Sequence, residues 1–237
     1  MKKVLAIVQA RSTSSRFKNK VLKKINKLSI AQIINERLKK SKCLNDIIFS
    51  IPDNRSNSIL NHHLKKNNIK IFRGPENNVL KRFFLTAKKS QAEIIVRITS
   101  DCPLVDVNLM DEMIKNFQKF KKIDYYSNTL PATFPDGLDI EIFSFNYLKE
   151  AFMNTKDNFG KEHVTTYMRK NIDRTKNKKY NKDLSFINLS LNTKNDYKKI
   201  EKLFKKNNYN FHFSIIKILE NKNLRKLFPK EFGARKY

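Results

Sequence analysis

Three cations stand apart from one another in a single early loop. Arg11, Arg16 and Lys20 occur within Gln9-Ala10-Arg11-Ser12-Thr13-Ser14-Ser15-Arg16-Phe17-Lys18-Asn19-Lys20. Arginine can hold phosphate oxygens bidentately and lysine adds a mobile point charge, so the spacing suits a polyphosphate. The loop has no glycine, which excludes a Rossmann fingerprint or a P-loop. A merely solvated basic loop would carry the same residues. Farther along, Arg97-Ile98-Thr99-Ser100-Asp101-Cys102-Pro103-Leu104 places Asp101 directly after an apolar run. A carboxylate left unpaired at a strand end is costly to bury. Mg²⁺ bridging to phosphates is one remedy; capping the next turn or pairing with Arg97 is another.

A third group is the turn Phe134-Pro135-Asp136-Gly137-Leu138-Asp139-Ile140-Glu141, three carboxylates in a chain of the opposite sign. They suit sugar hydroxyls, a cation or neighbouring lysines. Glu162-His163 falls at a predicted helix start, where the dipole favours Glu. A lone His such as His163 is more often structural than catalytic. Cys43 and Cys102 read as core thiols. Neither belongs to a C-x-x-C pair, so the expected setting is a reducing cytoplasm.

The 237 residues carry 50 Lys+Arg against 22 Asp+Glu, a formal net charge of +28, which raises nucleic acid as a partner. The lysines, however, lie on nearly every predicted helix and loop, and there is no helix-turn-helix, RRM or zinc signature. A basic nucleic-acid-binding protein is therefore the rival reading, without a specific nucleic acid. No window reaches the roughly 18 apolar residues of a membrane span, so no membrane insertion is expected. The apolar run after Lys3 is also short for a signal sequence.

These residues need a frame. Continuously apolar runs at Val4–Val8, Ile47–Ile51, Ile69–Phe72 and Glu93–Ile98 predict buried strands. Between them Leu28–Leu38 (Ser29 as N-cap), Ser58–Lys66 and Val79–Ala87 predict helices, and Leu109–Phe120 follows. That alternation predicts an α/β fold: three-layer α/β/α, Rossmann-like, with a mainly parallel central sheet. Ligands then belong at the carboxyl ends of the strands. After Asp124 the pattern predicts strands at Tyr125–Ser127 and Asp139–Phe143, and helices at Phe145–Phe152 and Glu162–Arg169. Arg174–Lys182 reads as a loop, Leu184–Leu191 as a strand and Tyr197–Lys206 as a helix. One domain over 1–237 is the expectation, with a core over 1–210 and a helical extension over 211–237.

In this order the segments resemble the cytidylyltransferases that activate acidic sugars, and among them the branch named after spore coat polysaccharide biosynthesis protein F. The family's I-x-Q-A-R-x-x-S-x-R-x-x-x-K-x-L loop is matched by Ile7–Leu22, and F-R-G-x-E-x-x-V-L-x-R-[FY] by Phe72–Phe83. R-I-T-x-D-C-P-L is Arg97–Leu104, S-N-T-L-P is Ser127–Pro131, P-D-G-L-D-x-E-x-F is Pro135–Phe143, and E-H-V-T-x-Y is Glu162–Tyr167. The resemblance implies a nucleotide-diphospho-sugar transferase fold, Mg²⁺ dependence and a homodimer. It implies transfer of CMP from CTP to an acidic sugar or related hydroxylated acceptor, with release of pyrophosphate, in surface polysaccharide or glycan biosynthesis.

Carried over, Arg11, Lys20 and Asp101 would be catalytic. Gln9, Ala10, Arg11, Arg16, Lys20, Asp53, Arg73 and Arg97 would contact the nucleotide, and Asp136, Asp139, Glu141, Glu162 and His163 the acceptor. Asp101 would bind the metal. Three departures stand out. Thr13 and Asn19 replace glycines of the first loop, and Ser100 replaces the glycine before the metal Asp. Asn192, the second residue of the implied metal site, stands where V-D-T-P-E-D would supply a carboxylate. This predicts weaker metal affinity or a one-carboxylate site, unless Asp139 or Glu141 substitutes. It is also the main argument for an inactive homologue, against which Arg11, Lys20 and Asp101 stand.

Overall fold

A computed structural model describes residues 2–14 and 16–220. The chain opens with β1 (Val4–Gln9), a small hairpin of β2 (Lys24–Ile25) and β3 (Leu28–Ser29), and α1 (Ile30–Leu38). It alternates through β4 (Asp46–Pro52), α2 (Ser58–Lys66), β5 (Ile71–Gly74), α3 (Val79–Lys89), β6 (Ile94–Thr99) and α4 (Val107–Lys119). Then come β7 (Tyr125–Ser127), β8 (Glu141–Ser144), α5 (Phe145–Asn154), α6 (Asn158–His163) and α7 (Thr166–Arg169). β9 (Thr175–Asn177), α8 (Lys194–Lys206) and α9 (Ile215–Glu220) complete the described residues.

The main sheet has seven strands in the order β5-β4-β1-β6-β8-β7-β9. β5, β4, β1 and β6 are parallel neighbours, and β8 runs antiparallel to both β6 and β7. Strand periodicity sorts β1 onto two faces. Val4, Ala6 and Val8 face the layer holding α1, α2, α4 and α8, whereas Leu5 and Ile7 face α3 and α5. The sheet is thus covered on both sides, as the continuous apolar runs predict. Ser29 does cap α1: its hydroxyl accepts from the Gln32 amide, and the Gln32 side chain returns the bond. α4 begins earlier than the apolar pattern indicates because Asp106 caps it, accepting from the Asn108 and Leu109 amides.

Three expectations fail. Leu184–Leu191 is no strand, although Leu184, Ile187, Leu189 and Leu191 are all buried. The segment makes only an isolated bridge between Asp136 and Asn188, so its alternation reflects core contact without a sheet edge to join. The loop read over Arg174–Lys182 contains β9, which pairs parallel with β7 through backbone groups that leave no hydrophobic pattern. The helix read over Glu162–Arg169 is two helices, broken where buried Val164 takes φ 61. Glu162 and His163 therefore end α6, whose N-cap is Asp157. Of the extension read over 211–237, the described part contains α9, and residues 221–237 lie outside the described residues.

One buried guanidinium ties the last described segment to the sheet. Arg37, 2% exposed, donates to the carbonyls of Val105 (2.9 Å), Leu104 (3.3 Å), Phe211 (2.6 Å) and Phe213 (3.0 Å). Burial pushes its pKa down to about 10, with Asp106 opposing, so it remains charged at neutral pH. Arg37→Met should lower the free energy of unfolding by about 3 kcal/mol, because buried carbonyls lose a charged donor. A urea titration with an unchanged midpoint would remove the clamp from the account.

Candidate active site

The first loop leaves β1 at Gln9 and is anchored through Ser12. The Ser12 amide donates to Asn57 Oδ1 at 2.8 Å, and its hydroxyl lies 2.7 Å from the Ser56 carbonyl. Asn19 takes φ 56, a left-handed conformation that Asn adopts more readily than most non-glycine residues. This is one of the positions where glycine is usual in the resembling family. The turn delivers Lys20, only 8% exposed, to the end of β6. Its ammonium reaches the Leu191 carbonyl at 2.7 Å, Asn192 Oδ1 at 3.3 Å and Asp101 Oδ2 at 3.4 Å. Three N–H donors thus meet three oxygens from two remote segments. Burial raises the Asp101 pKa, but the Lys20 ammonium and the Thr99 hydroxyl outweigh it and hold the carboxyl below its usual range. Asn192 is held by its other end, donating through Nδ2 to Ser190 Oγ at 2.8 Å.

Around these groups lies a cleft of about 840 Å³, open to solvent, at the carboxyl ends of β1, β4 and β6. The sequence-predicted Gln9, Ala10, Arg11, Arg16, Lys20, Asp101 and Glu162 all line it. So do Ser14, Pro52, Glu76, Val79, Arg82, Thr99 and Ser100, which were not singled out as site residues. For Arg82 a signal exists: it falls on the buried stripe of α3 with Val79, Phe83 and Thr86, where a charge is out of place. Arg11 and Glu162 approach at 4.0 Å, but both are more than half exposed and solvent screens them.

The remaining predicted residues lie around the cleft. Asp53 and Arg73, at the ends of β4 and β5, form an exposed ion pair. Burial pushes the Cys102 thiol well up, and Asp101, Asp139 and Asp136 push it further. The thiol is thereby kept protonated. The acidic turn and the Asp101 loop both bond to the segment before α8, through the Leu189 and Leu191 amides. The His163 ring sits 4.2 Å from the ring of exposed Phe159.

Glu141 is placed differently from a surface contact, being 3% exposed. One oxygen pairs with Arg97; the other accepts from Tyr125 (2.6 Å), Thr165 (2.7 Å) and Arg169 (2.8 Å). The Val164 break is what turns Thr165 toward it. Arg97 in turn donates to Gln9 Oε1 at 3.0 Å. Because a guanidinium can only donate, this fixes the Gln9 amide with its oxygen toward Arg97 and leaves its NH₂ for other partners.

Among the described residues, no group of three or more His, Cys, Asp or Glu side chains is arranged to hold a metal. The converging donors are one carboxylate, one amide oxygen and one backbone carbonyl. These three meet on the Lys20 ammonium; as hard oxygen donors beside the cleft, Asp101 and Asn192 suit Mg²⁺ shared with substrate phosphates and not an all-protein cage.

A mainly parallel α/β sheet with a cationic cleft at its strand ends, Asp101 in its lining, is the Rossmann-like nucleotidyltransferase fold. Residues 5–224 match the sequence profile of the cytidylyltransferase family, and the chain belongs to that family. It is 29% identical over 216 residues to the spore coat polysaccharide biosynthesis protein SpsF of Bacillus subtilis, covering 87% of this chain and 88% of the relative. Its fold superposes on a cytidylyltransferase from Leptospira borgpetersenii with a TM-score of 0.88, at 26% identity and 100% of both chains. A CMP:2-keto-3-deoxy-manno-octonic acid synthetase solved with CTP shares the fold, with a TM-score of 0.67 at 13% identity over 87% of this chain and all of that one.

The Glu141 cluster makes a pH prediction. Burial raises the Glu141 pKa, but Arg97, Arg169 and Tyr125 overcome it and hold the carboxyl well below its usual range. The folded value lies beneath the unfolded one, near 4.3. The stabilisation is therefore complete above that value and lost as pH falls toward the folded one. The difference in melting temperature between wild type and Glu141→Gln should be largest at about pH 6 and shrink toward about pH 3. A difference independent of pH would contradict the charged network.

Proposed function

We propose that this protein transfers CMP from CTP to a hydroxyl of an acidic sugar or related acceptor, releasing pyrophosphate. The observation that carries this reading is the meeting of Lys20, Asp101 and Asn192 at the floor of a cleft lined by Arg11 and Arg16. Family membership and the CTP-bound structural relative support cytidine as the base.

In the reaction, an acceptor oxygen forms a bond to the α-phosphorus while the bond to the bridging oxygen of the β-phosphate breaks. The electron pair leaves with pyrophosphate, and the acceptor proton passes to the solvent to which the cleft opens. Such displacements depend on positioning and charge neutralisation, which is what these side chains supply. Arg11 and Arg16 take the phosphate oxygens and orient the chain in line, while Lys20, bonded to Asp101, Leu191 and Asn192, adds positive charge beside them. Ala10 and Gln9 border the nucleotide, and the Asp53–Arg73 pair lies toward its base and ribose. Asp101 and Asn192 would hold Mg²⁺, which would neutralise charge on the phosphates.

Glu162, His163 and the Asp136–Asp139 turn border the acceptor. Arg97 and Glu141 position Gln9 and the end of β6 from beneath. Similarity to the spore coat polysaccharide biosynthesis protein SpsF supports a place in surface polysaccharide or glycan biosynthesis. A homodimer, and a reducing cytoplasm suited to the free thiols of Cys43 and Cys102, belong to the same reading. Among the described residues no helix is long and apolar enough to cross a membrane.

CTP with Mg²⁺ should raise the melting temperature through ligand linkage, by the equivalent of about 2.7 kcal/mol at a hundredfold excess over Kd. Asp101→Asn should lose most of the metal-dependent part and keep the metal-free CTP shift. Asn192→Asp should enlarge the metal-dependent part. Equal shifts in wild type and Asp101→Asn would sink the metal role.

A further inference from the structure

Among the described residues, one buried guanidinium has far fewer acceptors than donors. Arg37 has four carbonyls, while Arg97 and Arg169 share the Glu141 carboxylate. Arg82 is equally buried at 2% exposure, yet its only side-chain bond is from Nη1 to the Pro75 carbonyl at 2.6 Å. Its Nε is buried with no partner at all. Five N–H donors and a full charge are thus matched by one neutral oxygen. Unpaired buried charges are unfavourable, so a group retained this way calls for an absent counter-charge.

The surroundings show where that charge arrives. Arg82 lines the cleft with Arg11, Arg16 and Lys20. Burial pushes its pKa down to about 10; Arg11, on the same cleft, lowers it further as a like charge and Glu76 opposes. Two neighbouring guanidinium groups select an anion with more than one negative charge. The position is also built. A Cβ on Gly74 would meet Arg82 Cγ at 3.0 Å and Phe72 Cε1 at 2.9 Å, so the bare glycine lets the arginine stem pass. The Gly74-Pro75 turn then fixes the head through the Pro75 carbonyl.

We propose that Arg82 is a phosphate-binding residue, its buried guanidinium receiving oxygens of a polyphosphate in the cleft beside Arg11. The naming of that polyphosphate as CTP rests on the reading above; the anion site does not. Binding of oxygens to the free N–H donors would satisfy the buried charge and link nucleotide occupancy to the β5–α3 turn.

The test is calorimetric titration of inorganic pyrophosphate and of CTP into wild type, Arg82→Met, Arg82→Lys and Gly74→Ala, with melting curves of each free protein. The free Arg82→Met protein should melt at or above the wild-type temperature, since an uncompensated charge is gone. Its pyrophosphate and CTP affinities should fall at least about tenfold, as expected for lost charge-assisted bonds, with Arg82→Lys intermediate. Gly74→Ala, which displaces the stem and keeps the charge, should weaken pyrophosphate too. Should the Met and Lys variants not fold, unchanged affinity in Gly74→Ala overturns the proposal and a loss supports it. Wild-type affinity in Arg82→Met overturns it, as does a wild type that binds no polyphosphate. Arg82-dependent pyrophosphate binding without preference for CTP would keep the anion site and remove the cytidine reading.

Discussion

The Lys20 ammonium holds together three stretches of chain that the sequence keeps far apart. The first loop brings the cation, the end of β6 brings Asp101, and the segment before α8 brings the Leu191 carbonyl and Asn192. Each stretch is irregular backbone, and none would be fixed by secondary structure alone. Their meeting point is set by the parallel order β4-β1-β6, which directs the ends of these strands toward one edge. The same interaction keeps Asp101 ionised in a place where burial opposes it. Loop conformation, sheet order and the charge state of the site are in this sense one arrangement.

The net charge of +28 takes on a narrower meaning beside that arrangement. Most lysines are spread over helix and loop surfaces, where screening leaves each of little consequence. The cations in the cleft are few and unequal. Lys20 is satisfied by protein oxygens, Arg11 faces solvent beside Glu162, and Arg82 is buried with almost no acceptor. Beneath them, Glu141 pairs with both Arg97 and Arg169 and offsets one of their two charges, while the cleft keeps positive charge in excess. A mononucleotide triphosphate matches that excess better than a long nucleic acid, which would need a continuous basic surface.

Much of this was legible before folding because buried parallel strands write themselves as uninterrupted apolar runs, as at Val4–Val8 and Ile47–Ile51. The first loop was legible through its cations, and Asp101 through its place after Ile98. What escaped lies where backbone bonding or burial runs against pattern. Thr175–Asn177 pairs by its backbone at a sheet edge with no apolar residue to mark it. Leu184–Leu191 alternates because it lines the core while its amides bond to Asp136 and Asp101 carbonyls instead of a neighbouring strand. Glu141, whose acidity suggested an outward contact, is drawn inward by two arginines. Arg82 was hidden in plain helical periodicity, its charge the one irregular letter in an apolar stripe.

The proposed CTP-dependent transfer of CMP to an acidic hydroxylated sugar has a direct readout. Pyrophosphate release, measured for each of the four nucleoside triphosphates against a panel of sugar acids and sugar phosphates with Mg²⁺, addresses it most directly. The account predicts release with CTP and a sugar acid, in equal amount to a CMP-linked product. Release with another nucleotide in preference to CTP, or none with any pairing, would contradict it.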